Sequence, residues 1–367
     1  MGVEEELLLV EPGSGLPLAV AGSAIRADGH QAAPGEPPDR ETSEQPLDYE
    51  LQQQQLETAT KVCYDLGELS AEVRRGRAQA AAAAASAGAR IAALATSPVP
   101  VEPELVRKGR YLMMARAFGI TAQEQLTCGC HVHVGIESPD EGVGVLDRIR
   151  PWLPVLLAIS ANSPFWQGQD SGYASFRYQA WSRWPTAGPT GTFGSAEVYQ
   201  ETVRQMLATG TLLDTGMVYF DARLSEHYPT IEIRVADVCL YADDAALIAA
   251  LTRALVETEA QHWQAGKDLR EQRIETQRLA SWRASRSGLA DDLVNPLTGQ
   301  PASATAVANT LFEHVRDALD EAGDTAAVRE LLDAVLARGN GAAFQRGACL
   351  DRSLSYMIGQ AAEVTAR

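Results

Sequence analysis

Three short segments of this chain place chemically active side chains at every second residue with apolar residues on the alternate positions or close by. They are Glu4 and Glu6 in Gly2-Val-Glu-Glu-Glu6, His131 and His133 in Gly129-Cys-His-Val-His-Val-Gly135, and Glu232 and Arg234 in Ile231-Glu-Ile-Arg-Val235. A period of two belongs to the β-strand, where successive side chains leave on opposite faces. Each segment therefore predicts a strand with one polar face. Glu4 and Glu6 point one way and Glu5 the other; Val132 and Val134 oppose the histidines; Ile231, Ile233 and Val235 face a core. Taken singly, each pattern also fits an exposed acidic edge strand, a structural histidine pair or a surface ion pair.

A fourth segment, Glu50-Leu-Gln-Gln-Gln-Gln-Leu-Glu57, lies in a stretch (49–76) whose Leu51, Leu56, Val62 and Leu66 predict a helix. On a helix, a spacing of seven puts Glu50 and Glu57 on one face, which alone could equally be a solvated face. A second, Ala-rich helix is expected over about 77–95, ended by Thr96-Ser-Pro-Val-Pro100, and another over 103–119. Residues 28–46 read as a loop or short hairpin, 126–137 as a strand and 141–161 as helix. Residues 162–195 read as a long Gly-, Pro- and aromatic-rich loop. Two strands are expected at 216–224 and 229–238, and helix from about 242 onward with a break near 288–301. Strands among helices followed by a helical tail imply an α+β fold.

The 367 residues suffice for a large core, and 46% hydrophobic with 22% charged residues is ordinary for a globular chain. The formal net charge of -17 argues against nucleic acid and anionic membrane as partners. A small anionic substrate remains compatible, because local arginines and metal override a global field. Five cysteines, an odd number, and an acidic N-terminal segment unlike a signal peptide predict a reducing, cytoplasmic setting without a disulfide framework. The Ala78–Ala95 stretch is interrupted by Ser86, Gly88 and Arg90 and reads as a buried helix, not a membrane span.

Brought together, Glu4, Glu6, Glu50, Glu57, Glu232, His131 and His133 would make an oxygen-rich site, which suits Mg²⁺ or Mn²⁺ better than zinc. The chain has no GxxxxGK[ST] loop and no GxGxxG after a strand. Any nucleotide phosphates would be held by metals and arginines.

The ordered set Gly2-Val-Glu-Glu-Glu6, Gln55-Leu-Glu57, Cys128-Gly-Cys-His-Val-His-Val-Gly135, Asn162-Ser-Pro-Phe-Trp166, Tyr173-Ala-Ser-Phe-Arg177, Ile231-Glu-Ile-Arg-Val-Ala-Asp237 and Trp282-Arg-Ala-Ser-Arg-Ser-Gly-Leu289 resembles the type-2 glutamate–cysteine ligases, or carboxylate–amine ligases. The resemblance covers nearly the whole chain and implies one catalytic domain over residues 1–367. It implies a glutamine-synthetase-like, curved, mainly antiparallel sheet with flanking helices, open to ATP at one end. The metal ligands it implies are Glu4 and Glu6 on the first strand, Glu50 and Glu57 on a helix, His131, and Glu232. Arg177 resembles the arginine that grips the amino-acid substrate's carboxylate, with His133 a further substrate contact. Arg234, beside Glu232, resembles the one facing the transferred phosphate. Arg283 and Arg286 fall in a loop-like motif that would cover the nucleotide. A homodimer is an expectation at family level.

The chemistry so implied is ATP-dependent activation of the γ-carboxylate of glutamate as an acyl phosphate, followed by attack of the amine of cysteine or another amino acid. Three other readings stay open in the sequence: a different acid–amine pair, a non-catalytic binding protein on the same fold, and a metal-dependent amide hydrolase. The aromatic residues of 162–195 (Phe165, Trp166, Trp181, Trp184, Phe193) fit an acceptor pocket and a packed structural loop equally well.

Overall fold

The computed structural model describes residues 1–29 and 45–367; most of the 28–46 segment lies outside the described residues. Its centre is a seven-stranded antiparallel sheet. The first strand, β1 (Gly2–Val10), is followed by helix α1 (Ala21–Asp28), the short strand β2 (Asp48–Tyr49) and β3 (Gln55–Ala59). Then come α2 (Leu66–Ser86), β4 (Arg90–Ala92), α3 (Gly109–Phe118), α4 (Ile120–Gln123) and β5 (Gly129–Gly135). Helices α5 (Pro139–Ile149) and α6 (Leu153–Ser160), the hairpin β6 (Phe165–Trp166) and β7 (Gln169–Asp170), α7 (Phe176–Trp181) and α8 (Ala196–Ala208) precede β8 (Ala222–Leu224) and β9 (Thr230–Asp237). The sheet order is β2-β3-β1-β5-β9-β8, with β4 pairing the far end of β1.

Two expectations are corrected here. The stretch 49–76 is not one helix: Gln55–Ala59 is a strand paired antiparallel to β1, with Glu57 opposite Glu6. Glutamine and leucine favour helices in isolation, but here tertiary pairing overrides propensity. The glutamines bond other segments: Gln52 Nε2 donates to the Ala122 carbonyl (3.0 Å), Gln54 Nε2 to Glu102 (3.1 Å) and Gln55 Nε2 to Thr127 (2.6 Å). The helix starts only at Leu66, where Asp65 caps it by accepting the Glu68 N–H (2.8 Å). The second expected helix (77–95) is the latter part of this same helix. It stops at Ser86, Gly88 takes a φ of 74°, and the chain re-enters the sheet as β4.

The back of the sheet is apolar. Val3, Leu7, Leu56, Val132, Ile231, Ile233 and Val235 are buried there. The helix α9 (Ala242–Gln264), apolar almost all round, runs through the core against α2, α5, α6 and β5. Glu5 is a charged exception. It is buried and bound by Arg77 of α2, with Nε–Oε2 2.9 Å and Nη2–Oε1 2.6 Å. The rest is largely helical, as expected: α10 (Ile274–Ser287), a small hairpin of β10 (Asp292–Val294) and β11 (Pro301–Ser303), then α11 (Ala304–His314), α12 (Arg316–Ala322), α13 (Thr325–Arg338), α14 (Gly341–Cys349) and α15 (Leu354–Thr365). The last helix returns to β4, where Thr365 Oγ1 accepts the Ala93 N–H (2.8 Å). No helix among the described residues is long and apolar enough to cross a membrane.

Candidate active site

The antiparallel register builds the site. Glu4 stands opposite both Ala59 and His131, Glu6 opposite Glu57, and His133 opposite Glu232. Because side chains alternate, Glu4, Glu6, Glu57, His131, His133, Glu232 and Arg234 all leave the sheet on the face away from the apolar core. Together with Glu50, which precedes β3 in a loop, they line one cavity of about 710 Å³. Glu50 and Glu57 do meet, but through a loop and a strand, not through two turns of helix.

Within the cavity two donor groups are separable. Glu6, Glu50 and Glu57 bring carboxylate oxygens within 4.8 Å of one another, and so do the ligand atoms of Glu4, His131 and Glu232. Burial, then the charge of Glu6, pushes Glu50 up to about 7. Burial and the neighbouring Glu4 and Glu50 push Glu57 well above the usual carboxylate range. Burial also raises Glu6, against the pull of Arg177 and of the Gly129 N–H, which donates to Oε2 at 2.6 Å. Such mutual repulsion is relieved by a cation.

His131 is pushed down to about 4 by burial and by Arg234, so its ring is neutral and competent to ligate. The Nε2 atoms of His131 and His133 are buried without a hydrogen-bond partner among the described residues, while His133 Nδ1 meets Thr230 Oγ1 at 3.0 Å. Crowded carboxylates and orphaned imidazole nitrogens fit a site for hard divalent ions, to which His131 could offer a nitrogen.

Glu232 differs from the other carboxylates. Burial would raise it, but Arg234 and Arg223 outweigh that and hold it well below the usual range. Arg223 Nε donates to Oε2 at 2.6 Å and Nη2 to Oε1 at 3.3 Å, while Arg234 Nη1 bonds Oε1 from two residues along the same strand.

Sequence reading missed Arg223. Its signal was the hairpin itself, since pairing the two expected strands puts Arg223 opposite Glu232. It also missed Arg110, which lines the cavity while bonded to Asp214 (2.6 and 2.7 Å). No periodicity marks Arg110; it arrives on α3 through tertiary packing. Trp181, Trp184, Tyr111 and Tyr219 complete the apolar part of the wall. Trp181 and Trp184 thus line the cavity, whereas Phe165, Trp166 and Phe193 do not.

Arg177 lies one layer behind this wall, on α7, and is 2% exposed. Its guanidinium carbon is 5.8 Å from the Trp181 ring centroid. Its own bonds are long: Nη1 to the Val235 carbonyl 3.5 Å and Nη2 to Arg234 3.4 Å, with Nε unpartnered among the described residues. Arg283 and Arg286 are not in a loop. They sit on α10, whose small residues Ala280, Ser281, Ala284 and Ser285 are buried and let it pack closely against α6. Arg283 Nε donates to the Asp292 carbonyl (2.9 Å), and Arg286 lies over Tyr173, 5.7 Å from the ring centroid. Neither lines the cavity.

Residues 1–361 match the profile of glutamate–cysteine ligase family 2. The chain belongs to that family. A Streptomyces avermitilis protein with the provisional name glutamate–cysteine ligase 2-1 is 53% identical over 94% of this chain and 93% of its own length. A Streptomyces coelicolor protein, provisionally named glutamate–cysteine ligase 2, is 51% identical over 94% and 93%. This family 2 chain is therefore an enzyme of the ligase class, with the carboxylate–amine chemistry that the family name describes. Its fold is similar to that of the glutamate–cysteine ligase of Francisella tularensis solved in complex with AMP. The TM-score there is 0.70 at 12% identity, over all of this chain and 87% of that one. The bifunctional glutathione synthetase of Pasteurella multocida matches with a TM-score of 0.66 at 14% identity, over all of this chain and 52% of that one. At such identities the likeness concerns the fold.

Proposed function

We propose that this family 2 ligase uses ATP and Mg²⁺ to join the γ-carboxylate of glutamate to the amine of cysteine or another amino acid through an acyl phosphate, acting as one catalytic domain over residues 1–367. The observation that carries this is the convergence of five glutamates, two histidines and Arg234 on one wall of a cavity large enough for a nucleotide triphosphate's phosphates and an amino acid. The names of its relatives, and the AMP complex of a protein with the same fold, support the choice of substrates.

A carboxylate does not acylate an amine near neutral pH, because oxide is a poor leaving group. Attack of a carboxylate oxygen on the γ-phosphorus of ATP expels ADP and leaves an acyl phosphate. The amine then attacks the carbonyl carbon, phosphate leaves, and the amine loses a proton. Phosphoryl transfer of this kind needs alignment and charge neutralisation more than covalent help.

Glu4, Glu6, Glu50, Glu57, His131 and Glu232 would hold the magnesium. When bound, the metal supplies charge neutralisation at the phosphates. Arg234, fixed by its bond to Glu232, is placed to stabilise the oxygens of the transferring group. Arg223 shares the Glu232 carboxylate, so the pair keeps Arg234 from swinging out of the wall. Arg177, buried behind the Trp181 wall with only long bonds and Asp237 at 3.9 Å, is the proposed ligand of the donor's α-carboxylate, which it would reach only if Trp181 moves aside, with His133 beside the substrate. Trp181, Trp184 and Tyr219 exclude water from that end.

Incubation of the purified chain with ATP, Mg²⁺, glutamate and a pool of amines, followed by mass spectrometry, tests the proposal. The expected products are ADP and a γ-glutamyl amide in equal amounts, both dependent on ATP and Mg²⁺. Amide cleavage without ATP, or no ADP with any acid–amine pair, would overturn it.

A further inference from the structure

A second group of ligating side chains lies apart from the catalytic cavity and shares no lining residue with it. Glu259 and His262 are one turn apart on α9, so they share a face. His314, the last residue of α11, approaches them from the side. His314 Nε2 is 2.6 Å from Glu259 Oε1, and His262 Nδ1 is 3.2 Å from Oε2. One ligand atom from each residue lies within 4.8 Å of the others. The His314 ring is held by stacking on buried Trp152, with centroids 4.2 Å apart and planes 19° from parallel. All four residues line a cavity of about 180 Å³, whose other charged lining residues are Arg148, Lys267, Asp268 and Arg270.

We propose that Glu259, His262 and His314 bind one transition-metal ion of the zinc class, with its remaining position open to this cavity. Two imidazole nitrogens and one carboxylate oxygen are the donor set that zinc accepts with a fourth ligand from solvent. The catalytic wall, dominated by oxygen, selects a harder ion. Tetrahedral ligands about 2.0–2.1 Å from zinc stand roughly 3.3 Å apart. His314 must retreat from Glu259, and the two imidazoles, which now meet different oxygens of that carboxylate, must close on one ion between them. Arg148, Lys267 and Arg270 outnumber Asp268 in the lining and favour hydroxide or a small solute anion as the fourth ligand. Bound there, the ion would clip the helical C-terminal part to the central helix.

The test uses the full chain, treated with a chelator, then given ZnCl₂ in a large excess of Mg²⁺ to occupy oxygen-rich sites, and desalted. The expected result is about one zinc retained per chain, a visible ligand-field spectrum when Co²⁺ replaces it, and a higher melting temperature with zinc than with chelator. His314→Gln and His262→Gln should each lose the zinc equivalent, the Co²⁺ spectrum and the zinc-dependent rise in melting temperature. His131→Gln, in the catalytic cavity, should keep all three whether or not the ligase proposal holds. If one variant does not fold, the other and the wild-type melting shift still decide. Absence of retained zinc in the wild type, or equal zinc in wild type and both variants, would overturn the proposal. In either case the three side chains are only a hydrogen-bonded cluster.

Discussion

Gly129 and Arg177 are packed so closely that a Cβ added to Gly129 would stand 2.3 Å from Arg177 Nη2 and 3.0 Å from His131 Nε2. The absent side chain is what lets the buried guanidinium lie beside the first histidine of β5. Gly129→Ala should therefore displace Arg177 or His131. The expected outcome is a loss of kcat/KM of at least about tenfold with a stability cost of roughly 1–3 kcal/mol from overpacking. Steady-state kinetics beside a urea melt would check it, and wild-type kinetics would remove this contact from the working site.

Arg177→Lys separates binding from packing. A point charge cannot reproduce a planar fork, so the apparent KM for the donor should rise several-fold while kcat changes less. Were the donor KM unmoved and only the melting point lowered, Arg177 would be a support for the Trp181 wall and not a substrate ligand.

Glu232→Gln should reduce turnover by at least about a hundredfold, by removing a charged ligand from the Glu4–His131–Glu232 group. It should not be silent in stability. Arg223 and Arg234 both lose their anionic partner, and a drop of roughly 1–3 kcal/mol is expected. Activity assays and chemical denaturation of the same preparation give both numbers. Near-normal turnover would remove Glu232 from the metal site.

On the back of the sheet, Arg77 binds Glu5 through two nitrogens and also donates to the carbonyls of Leu240 (2.9 Å) and Cys239 (2.6 Å). Arg77→Ala leaves a buried carboxylate without its cation and should cost about 3–5 kcal/mol. The double variant Glu5→Leu with Arg77→Met should cost less than either single change, because no charge is left unpaired. Denaturation midpoints of the three proteins test the coupling.

Asp221 gives a pH dependence with a definite sign. Burial raises its carboxyl from 3.8 to about 7, against the Tyr178 hydroxyl, which donates to it at 3.0 Å, and Arg177. The folded state then holds a proton that the unfolded state has released. Its contribution to stability falls as pH rises from about 4 to about 7 and stays low above that. Asp221→Asn should lack this slope and gain on the wild type between pH 5 and pH 8, by at most about 4 kcal/mol. Melts at the two pH values measure it; parallel behaviour would show that Asp221 is charged throughout.

The strands that carry Glu4, Glu6, His131, His133, Glu232 and Arg234 were legible because a period of two is a local property, fixed by backbone geometry and visible within seven residues. The order of motifs along the chain was enough to recognise the family, since it depends only on sequence. What stayed hidden was the state of Gln52–Ala59. Its composition favours a helix, and only pairing with β1 and hydrogen bonds to the 102–127 segment make part of it a strand. Glu50 and Glu57 therefore do lie together in the cavity, but the spacing of seven that singled them out has no structural meaning here.

The sequence by itself determined which faces are polar and which side chains have ligating chemistry. The tertiary structure decided which of them meet. Antiparallel register set Glu6 against Glu57 and both His133 and Arg223 against Glu232, packing carried Arg110 into the wall, and it left Arg283 and Arg286 outside. The physical reason is that alternation is set by neighbouring peptides, whereas register and helix docking are set by burying the apolar back of the sheet, to which residues hundreds of positions apart contribute.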